Sequence, residues 1–461
     1  MVEGGLDTTE APRDDGKPSQ IEAISASMAK DLVKGDGEEK PMRKTTYWET
    51  LMHIHKCNTG SSIFAMGNAF KNSGLALGSI LVFSIGFICV HCQHMMLNVC
   101  EETTKRLNLK KSVGFEEGSE LCFKVGHPKY RKWGPFMGKL VETSVTITQS
   151  GFCSVYMVFV ADNLKQVWDK FLPPIHISIM IAIVVIPMIF LSWIQDLKSL
   201  APVSIIANVL VTAGIITVAY VAVTDLPDIS ERKLVADYSL LPLFFGTVVY
   251  AFEGIGVLTP IKSGYKNPEK FAKPLGPLNV AMGFFTLLTI FLGFVGYWKW
   301  GEDVKPSLTL NLDQDSVIGI ALKSLISIGI VLTYPLQLKP ALDNNFAIIT
   351  KLWGPFKRPH LADIIFRTLY TLFLFILAEV VPFLDLFISL IGALSSSALA
   401  LIVPPIMDLV TFHESYGPLK WRLWKNGFII IFGIVGFIIG TVYAMIDIVK
   451  SFHKVYGYEE E

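Results

Sequence analysis

Asn58-Thr59-Gly60-Ser61-Ser62, in the first apolar segment, and Phe252-Glu253-Gly254-Ile255-Gly256, in the sixth, are the two stretches on which the fold turns. Each interrupts a run that is otherwise long and apolar enough to cross a bilayer as a helix. Ser, Thr, Asn and Gly are poor helix formers whose side chains compete for backbone partners, so they support an unwound turn. Five spans separate the start of one interrupted segment from the start of the other. That offset is expected of two five-helix repeats of inverted topology. A plain alternative is that these glycines serve only as close-packing positions between helices.

The surrounding chain supports the membrane reading. Of 461 residues, 51% are hydrophobic and 17% charged, and the apolar residues come in uninterrupted runs of about 20, the hydrocarbon thickness measured along a helix. Helices satisfy their own backbone there, and the runs lack the alternation of a transmembrane barrel. Eleven spans are expected, at 51–72, 75–100, 136–161, 175–194, 201–223, 240–261, 275–298, 317–337, 363–380, 383–408 and 427–449. Residues 1–44 are polar, mixed in charge and poor in aromatics, and read as a disordered cytoplasmic tail. Repeat one covers about 45–224, repeat two about 239–408, an extra helix 427–449, and a short polar tail 451–461. With the amino terminus in the cytoplasm, the loops on that side hold twenty Lys and Arg against six opposite.

Several classes are excluded. Forty basic and forty acidic residues give a net charge of zero, which disfavours nucleic acid as a partner. The chain has no Walker or dinucleotide signature in a suitable context and no hydrolase motif, so no enzyme and no cofactor are expected. Without an ATPase domain, transport is passive or driven by an ion gradient. None of the six cysteines falls in a segment placed outside, so no structural disulfide is expected. Cys89-Val90-His91-Cys92-Gln93-His94 resembles a set of zinc ligands, but it ends a hydrophobic span without a second cysteine pair and reads as membrane packing.

Paired breaks have a defined chemistry. A half-helix that starts inside the membrane presents backbone N–H groups and a positive dipole end, suited to a carboxylate. Carbonyls released by unwinding suit an ammonium group. Glu253 adds an ionisable side chain near mid-membrane, costing at least about 2.5–3.5 kcal/mol on insertion scales. It reads either as a proton carrier or as a neutral bridge between unwound strands of backbone. In the third span Lys139, Glu142, Thr146, Gln149, Cys153 and Tyr156 recur at helical spacing and form one polar face, which borders a cavity or bonds neighbouring helices. His53 and His55, at the start of the first span, titrate in the range a proton-driven carrier uses. Gly392, Ser396 and Ala400 in the tenth span form a packing seam.

The segment Leu51-Met52-His53-Ile54-His55-Lys56-Cys57-Asn58-Thr59-Gly60, with Lys71-Asn72-Ser73-Gly74 after it, resembles the first span of the proton-coupled amino acid transporter family. This is the amino acid/auxin permease branch of the amino acid-polyamine-cation transporters, and insect members look similar around Ile63-Phe64-Ala65-Met66. His91-Cys92-Gln93-His94, Phe244-Phe245-Gly246-Thr247 through Gly256, and Phe387-Ile388-Ser389-Leu390-Ile391-Gly392-Ala393-Leu394 match in the same order, and the resemblance runs from Thr45 to about Lys450.

The resemblance implies an all-α, eleven-helix membrane protein with a five-plus-five inverted repeat (LeuT-like) and broken first and sixth helices. It implies alternating-access symport of small neutral amino acids such as glycine, alanine and proline with a proton, at the plasma membrane or an endosomal/lysosomal membrane. Other readings within the resemblance are an amino acid sensor with little flux that recruits signalling partners, and a proton-independent facilitator. The substrate site falls on Thr59, Gly60, Ser61 and Ser62, with Phe252, Glu253 and Gly254 opposite, and the proton sites on His53 and Glu253. Departures are Gly60-Ser61-Ser62 in place of Gly-Thr-Gly, Gly67 in place of a proline, and Lys262 in place of an acidic residue.

Overall fold

The computed structural model describes residues 44–195 and 197–456. The expected amino-terminal tail, apart from Lys44, and the last five residues lie outside them. Among the described residues, nine helices are long and apolar enough to cross a membrane. The broken first span and the 16-residue helix Ile177–Ser192 bring the number of crossings to eleven. The first span starts at one end of the bundle, the near face, and finishes at the other, the far face.

The first span opens at Tyr47 under a capping box. Thr46 accepts from the Glu49 N–H, and the Glu49 carboxylate accepts from the Thr46 N–H, which satisfies two orphan donors of the helix start. Helix Tyr47–Asn58 stops at Thr59 and Gly60, whose backbones are extended, and helix resumes over Ser61–Phe64 and Met66–Ser73. Sixth-span helices Leu241–Phe252 and Ile255–Gly264 flank a second break at Glu253 and Gly254. The first interruption therefore falls where the poor helix formers stand, and the second at Gly254 and the Glu253 before it.

Several helices outrun their apolar cores. The third spans Gly134–Phe171 and the eighth Val317–Trp353, sixteen residues beyond the expected end at 337. The eighth continues unbroken past Pro335 and Pro340. The last helix, Trp421–Tyr456, runs into the expected polar tail. The tenth span is continuous from Leu384 to Thr411, but residues 392–396 and 398–402 are wound as π-helix. Its small-residue seam sits there, and a side-chain carbon on Gly392 would collide with the Gly246 carbonyl oxygen. That approach of the sixth and tenth spans requires glycine.

Burial sorts the spans into a centre and a rim. The apolar windows of the third and tenth spans are 78% buried, whereas those of the ninth and eleventh are 28% and 22% buried. Exposed Ile205, Ile216, Phe428 and Ile431 give the rim an apolar outer surface, as a lipid-facing belt requires. At the far face a chain turn at Gly74 (φ 86°) is clamped by the loop before the sixth span. Leu75 N–H donates to Lys233 O, Ala76 N–H to Leu234 O and Ala236 N–H to Ser73 O, each at 3.0 Å.

Candidate functional site

The two breaks touch. A side-chain carbon on Gly254 would lie 2.9 Å from the Asn58 carboxamide oxygen, so the unwound turn of the sixth span rests directly on the first. Local side chains hold the first break open. Thr59 Oγ1 donates to His55 O (2.8 Å), Asn58 Nδ2 to Ile54 O (2.9 Å) and Ser62 Oγ to Asn58 O (3.1 Å). Each takes up a carbonyl at the end of the helix, which is how an unwound segment survives out of water. Ser62, which stands where the resembling Gly-Thr-Gly has its second glycine, thus folds its hydroxyl back onto its own span and does not crowd the opening with a free polar group.

Around the breaks lies a cavity enclosing about 350 Å3, part of it open to solvent. The first span contributes residues 56–62, the third Phe152 and Tyr156, the sixth Tyr250 and Glu253, and the eighth Thr333 and Gln337. Of the residues assigned from sequence, Thr59, Gly60, Ser61, Ser62 and Glu253 border this space. Gly254 sits immediately behind it against Asn58. Phe252 does not border it: helical rotation turns its ring to the second and seventh spans, against Gly86 and 5.3 Å from Phe285. The aromatic lining comes instead from Phe152, Tyr156 and Tyr250, with Phe152 and Tyr250 packed edge to face at 4.4 Å. The Tyr250 hydroxyl pairs with Ser61 Oγ at 3.2 Å and ties the sixth span to the first.

Tyr156 was legible only as one member of the third-span polar face. Its hydroxyl would stand 2.9 Å from a side-chain carbon at Gly60, with the residue itself 6% exposed. The same face continues toward the near end through Gln149, which accepts from the Gln337 amide at 2.6 Å. Lys139 and Glu142 pair with each other at 3.1 Å at the end of that stripe, far from the cavity.

The cavity opens to the near face. Ile63, Phe64, Ala65 and Met66, on its far side, are at most 2% exposed, while Cys57 is exposed although it stands mid-bundle. His53, Lys56, Cys57 and Gly60 share one helical face; Lys56 and Cys57 border the cavity, and exposed His53 lies one turn nearer its mouth. His55 points the other way, its ring 5.5 Å from that of Phe284.

A family model described as "Transmembrane amino acid transporter protein" matches residues 43–446. The chain belongs to this transporter family. Over 417 residues the transporter is 34% identical to "Proton-coupled amino acid transporter-like protein pathetic" of Drosophila melanogaster, covering 88% of this chain and 86% of the relative. It is 26% identical over 438 residues to "Vacuolar amino acid transporter 4" of Saccharomyces cerevisiae, covering 85% of this chain and 56% of that one. The solved structure titled "Inward facing conformation of Mhp1" superposes with a TM-score of 0.53 at 12% identity, over 92% of this chain and 94% of the other. At that identity the likeness establishes the fold, a five-plus-five inverted repeat with broken first and sixth helices. The transporter is an amino acid carrier of the membrane, not an enzyme.

Proposed function

We propose that the transporter moves small neutral amino acids together with a proton, by alternating access to the cavity between its two breaks. The observation that carries this reading is the meeting of both breaks around one space whose described lining holds a single carboxyl, Glu253. Backbone N–H groups at Gly60, Ser61 and Ser62 begin a helix and receive the substrate carboxylate, with the Tyr156 hydroxyl beside them. Carbonyls freed near Phe252–Gly254, with the Glu253 carboxyl, receive the ammonium group. Phe152, Tyr156 and Tyr250 leave room for a short side chain.

Glu253 is 5% exposed, and no described protein group forms an ion pair with it. A carboxyl so placed is neutral when protonated and calls for an ammonium partner when ionised, which couples proton and substrate occupancy. His53, at the cavity mouth on the same face, is the second proton site. We place that face in the cytoplasm, supported by the excess of Lys and Arg in its loops, and the protein in the plasma membrane or an endosomal/lysosomal membrane. The name of the yeast relative supports the second location.

The test is uptake of labelled alanine, glycine and proline into proteoliposomes with and without an inward proton gradient. Gradient-stimulated accumulation is expected. Flux indifferent to the gradient would make the protein a facilitator, and binding without flux a sensor. Gly60→Val should abolish uptake without loss from the membrane, because its side chain drives into the Tyr156 hydroxyl; normal uptake in that variant would remove the binding-site assignment.

A further inference from the structure

The second span, Leu75–Arg106, runs beside the sixth in the same direction. Gly86 lies against the Phe252 ring, where a side-chain carbon would meet it at 2.9 Å. Cys89 is within electrostatic reach of Glu253. Thr259 Oγ1 donates to Met96 Sδ at 3.6 Å, and Lys262 Nζ meets Glu101 at 2.8 Å. Gly86, Cys89, Gln93, Met96 and Cys100 recur at intervals of 3, 4, 3 and 4, one continuous face turned to the sixth span.

Gln93 is the middle member of that face, so it lies between the level of Glu253 and that of Thr259. It is 1% exposed, and neither its amide nitrogen nor its amide oxygen has a protein partner. Two orphaned polar atoms in a protein interior call for water, which needs both polar partners and room. Open space lies along the sixth span, where half-buried Gly256 has no atom within 4 Å of a side-chain carbon's place. The histidines flanking Gln93 are engaged elsewhere: His94 with Asn279 at 2.7 Å and His91 with Lys425 at 2.8 Å.

We propose that Gln93 holds water in the seam between the second and sixth spans and so forms a proton route from Glu253 to the near face. The exit lies at Lys262 and Glu101. Protonated Glu253 gives its proton to the nearest water and is left as carboxylate; the chain of waters passes a proton on, and the near-face solution receives one. Gln93 donates and accepts at once, so it orients that chain without changing charge. The route is separate from the amino acid's path between the first, third and eighth spans, and the proton need not pass a seated substrate. Titratable groups facing Glu253 are Cys57, Cys89 and Tyr250, with Lys56 across the cavity. Those facing the exit are Glu101, Lys262, Lys105 and Cys100.

This inference rests on Glu253 carrying the coupling proton, and the experiment separates the two claims. Full-length protein in proteoliposomes loaded with a pH-sensitive dye is given alanine and a proton gradient, and alanine counterflow at equal pH is measured alongside. Counterflow needs only the fully loaded carrier and no proton release. Gln93→Met keeps the volume and removes the polar atoms. It is expected to slow alanine-driven proton entry and gradient-driven uptake by about tenfold or more, with counterflow unchanged. Gln93→Ser, which leaves space for water, is expected to recover most of the proton flux. Wild-type proton flux in Gln93→Met overturns the route while leaving Glu253's role intact. Equal loss of uptake and counterflow, unrelieved by serine, overturns it in favour of packing. A wild-type protein that ignores the gradient removes both claims.

Discussion

At Gly60 the missing side chain leaves space that a tyrosine hydroxyl approaches from across the cavity. The hydroxyl of Tyr156 stands where it would crowd any larger residue at 60, and no described protein group satisfies it. A phenol almost wholly buried seeks a partner, and in the proposed binding mode the substrate carboxylate supplies one. A hydrogen bond to a charged group contributes about 1.5–3 kcal/mol, so Tyr156→Phe should raise the KM for alanine by roughly 10- to 100-fold. The maximal rate should change little if the bond is made equally throughout the cycle. Saturation curves in proteoliposomes decide it: an unchanged KM would take the hydroxyl out of the site. Phe252 shows the other side of residue-scale reading. Sequence places it at the break, but only the helix's rotation reveals that its ring faces the second and seventh spans.

At the scale of an element, the first span is two helices with different surroundings. Its far half is buried on every side, while its near half keeps His53 and Cys57 exposed. This asymmetry makes Cys57 a reporter. The other five cysteines are buried, so a membrane-impermeant thiol reagent applied from the near face should modify Cys57 selectively and block uptake. Saturating alanine should slow that reaction several-fold by filling the space above it. Labelling equally fast from both faces, or indifferent to alanine, would contradict the access drawn here. Both breaks were legible in the sequence: Asn58, Thr59, Gly60 and two serines announce the first, and Gly254, Gly256 and the ionisable Glu253 the second, against an apolar background. Thr333 and Gln337 were not, because the eighth span carries them in an ordinary apolar run and spacing does not say which helix its polar side chains meet. Gln149 stood in the third-span stripe, but its partner became visible only when the two spans were brought together.

Across the whole molecule, the central spans carry the cavity and the rim must hold them in register without many contacts of its own. The ninth span, Pro359–Val380, illustrates how. Arg367 is 5% exposed and pairs with Asp363, itself 8% exposed, at 2.8 Å. Its guanidinium also donates to Ser192 O of the fourth span at 3.2 Å and lies 3.7 Å from Asp343 of the eighth. One side chain thus joins three spans. Removing one partner of a buried pair leaves an uncompensated charge and costs about 3–5 kcal/mol, whereas removing both with apolar replacements is far less damaging. Asp343 still faces the guanidinium, so Asp363→Ala belongs at the lower end of that range. The purified variant should lose its native, monodisperse form markedly faster on heating in detergent than the parent. Combining it with Arg367→Met should restore much of the lost lifetime, because no buried charge then remains unpaired. A double variant as short-lived as the single one would mean that the bonds to the fourth and eighth spans, rather than charge balance, keep the ninth span in place.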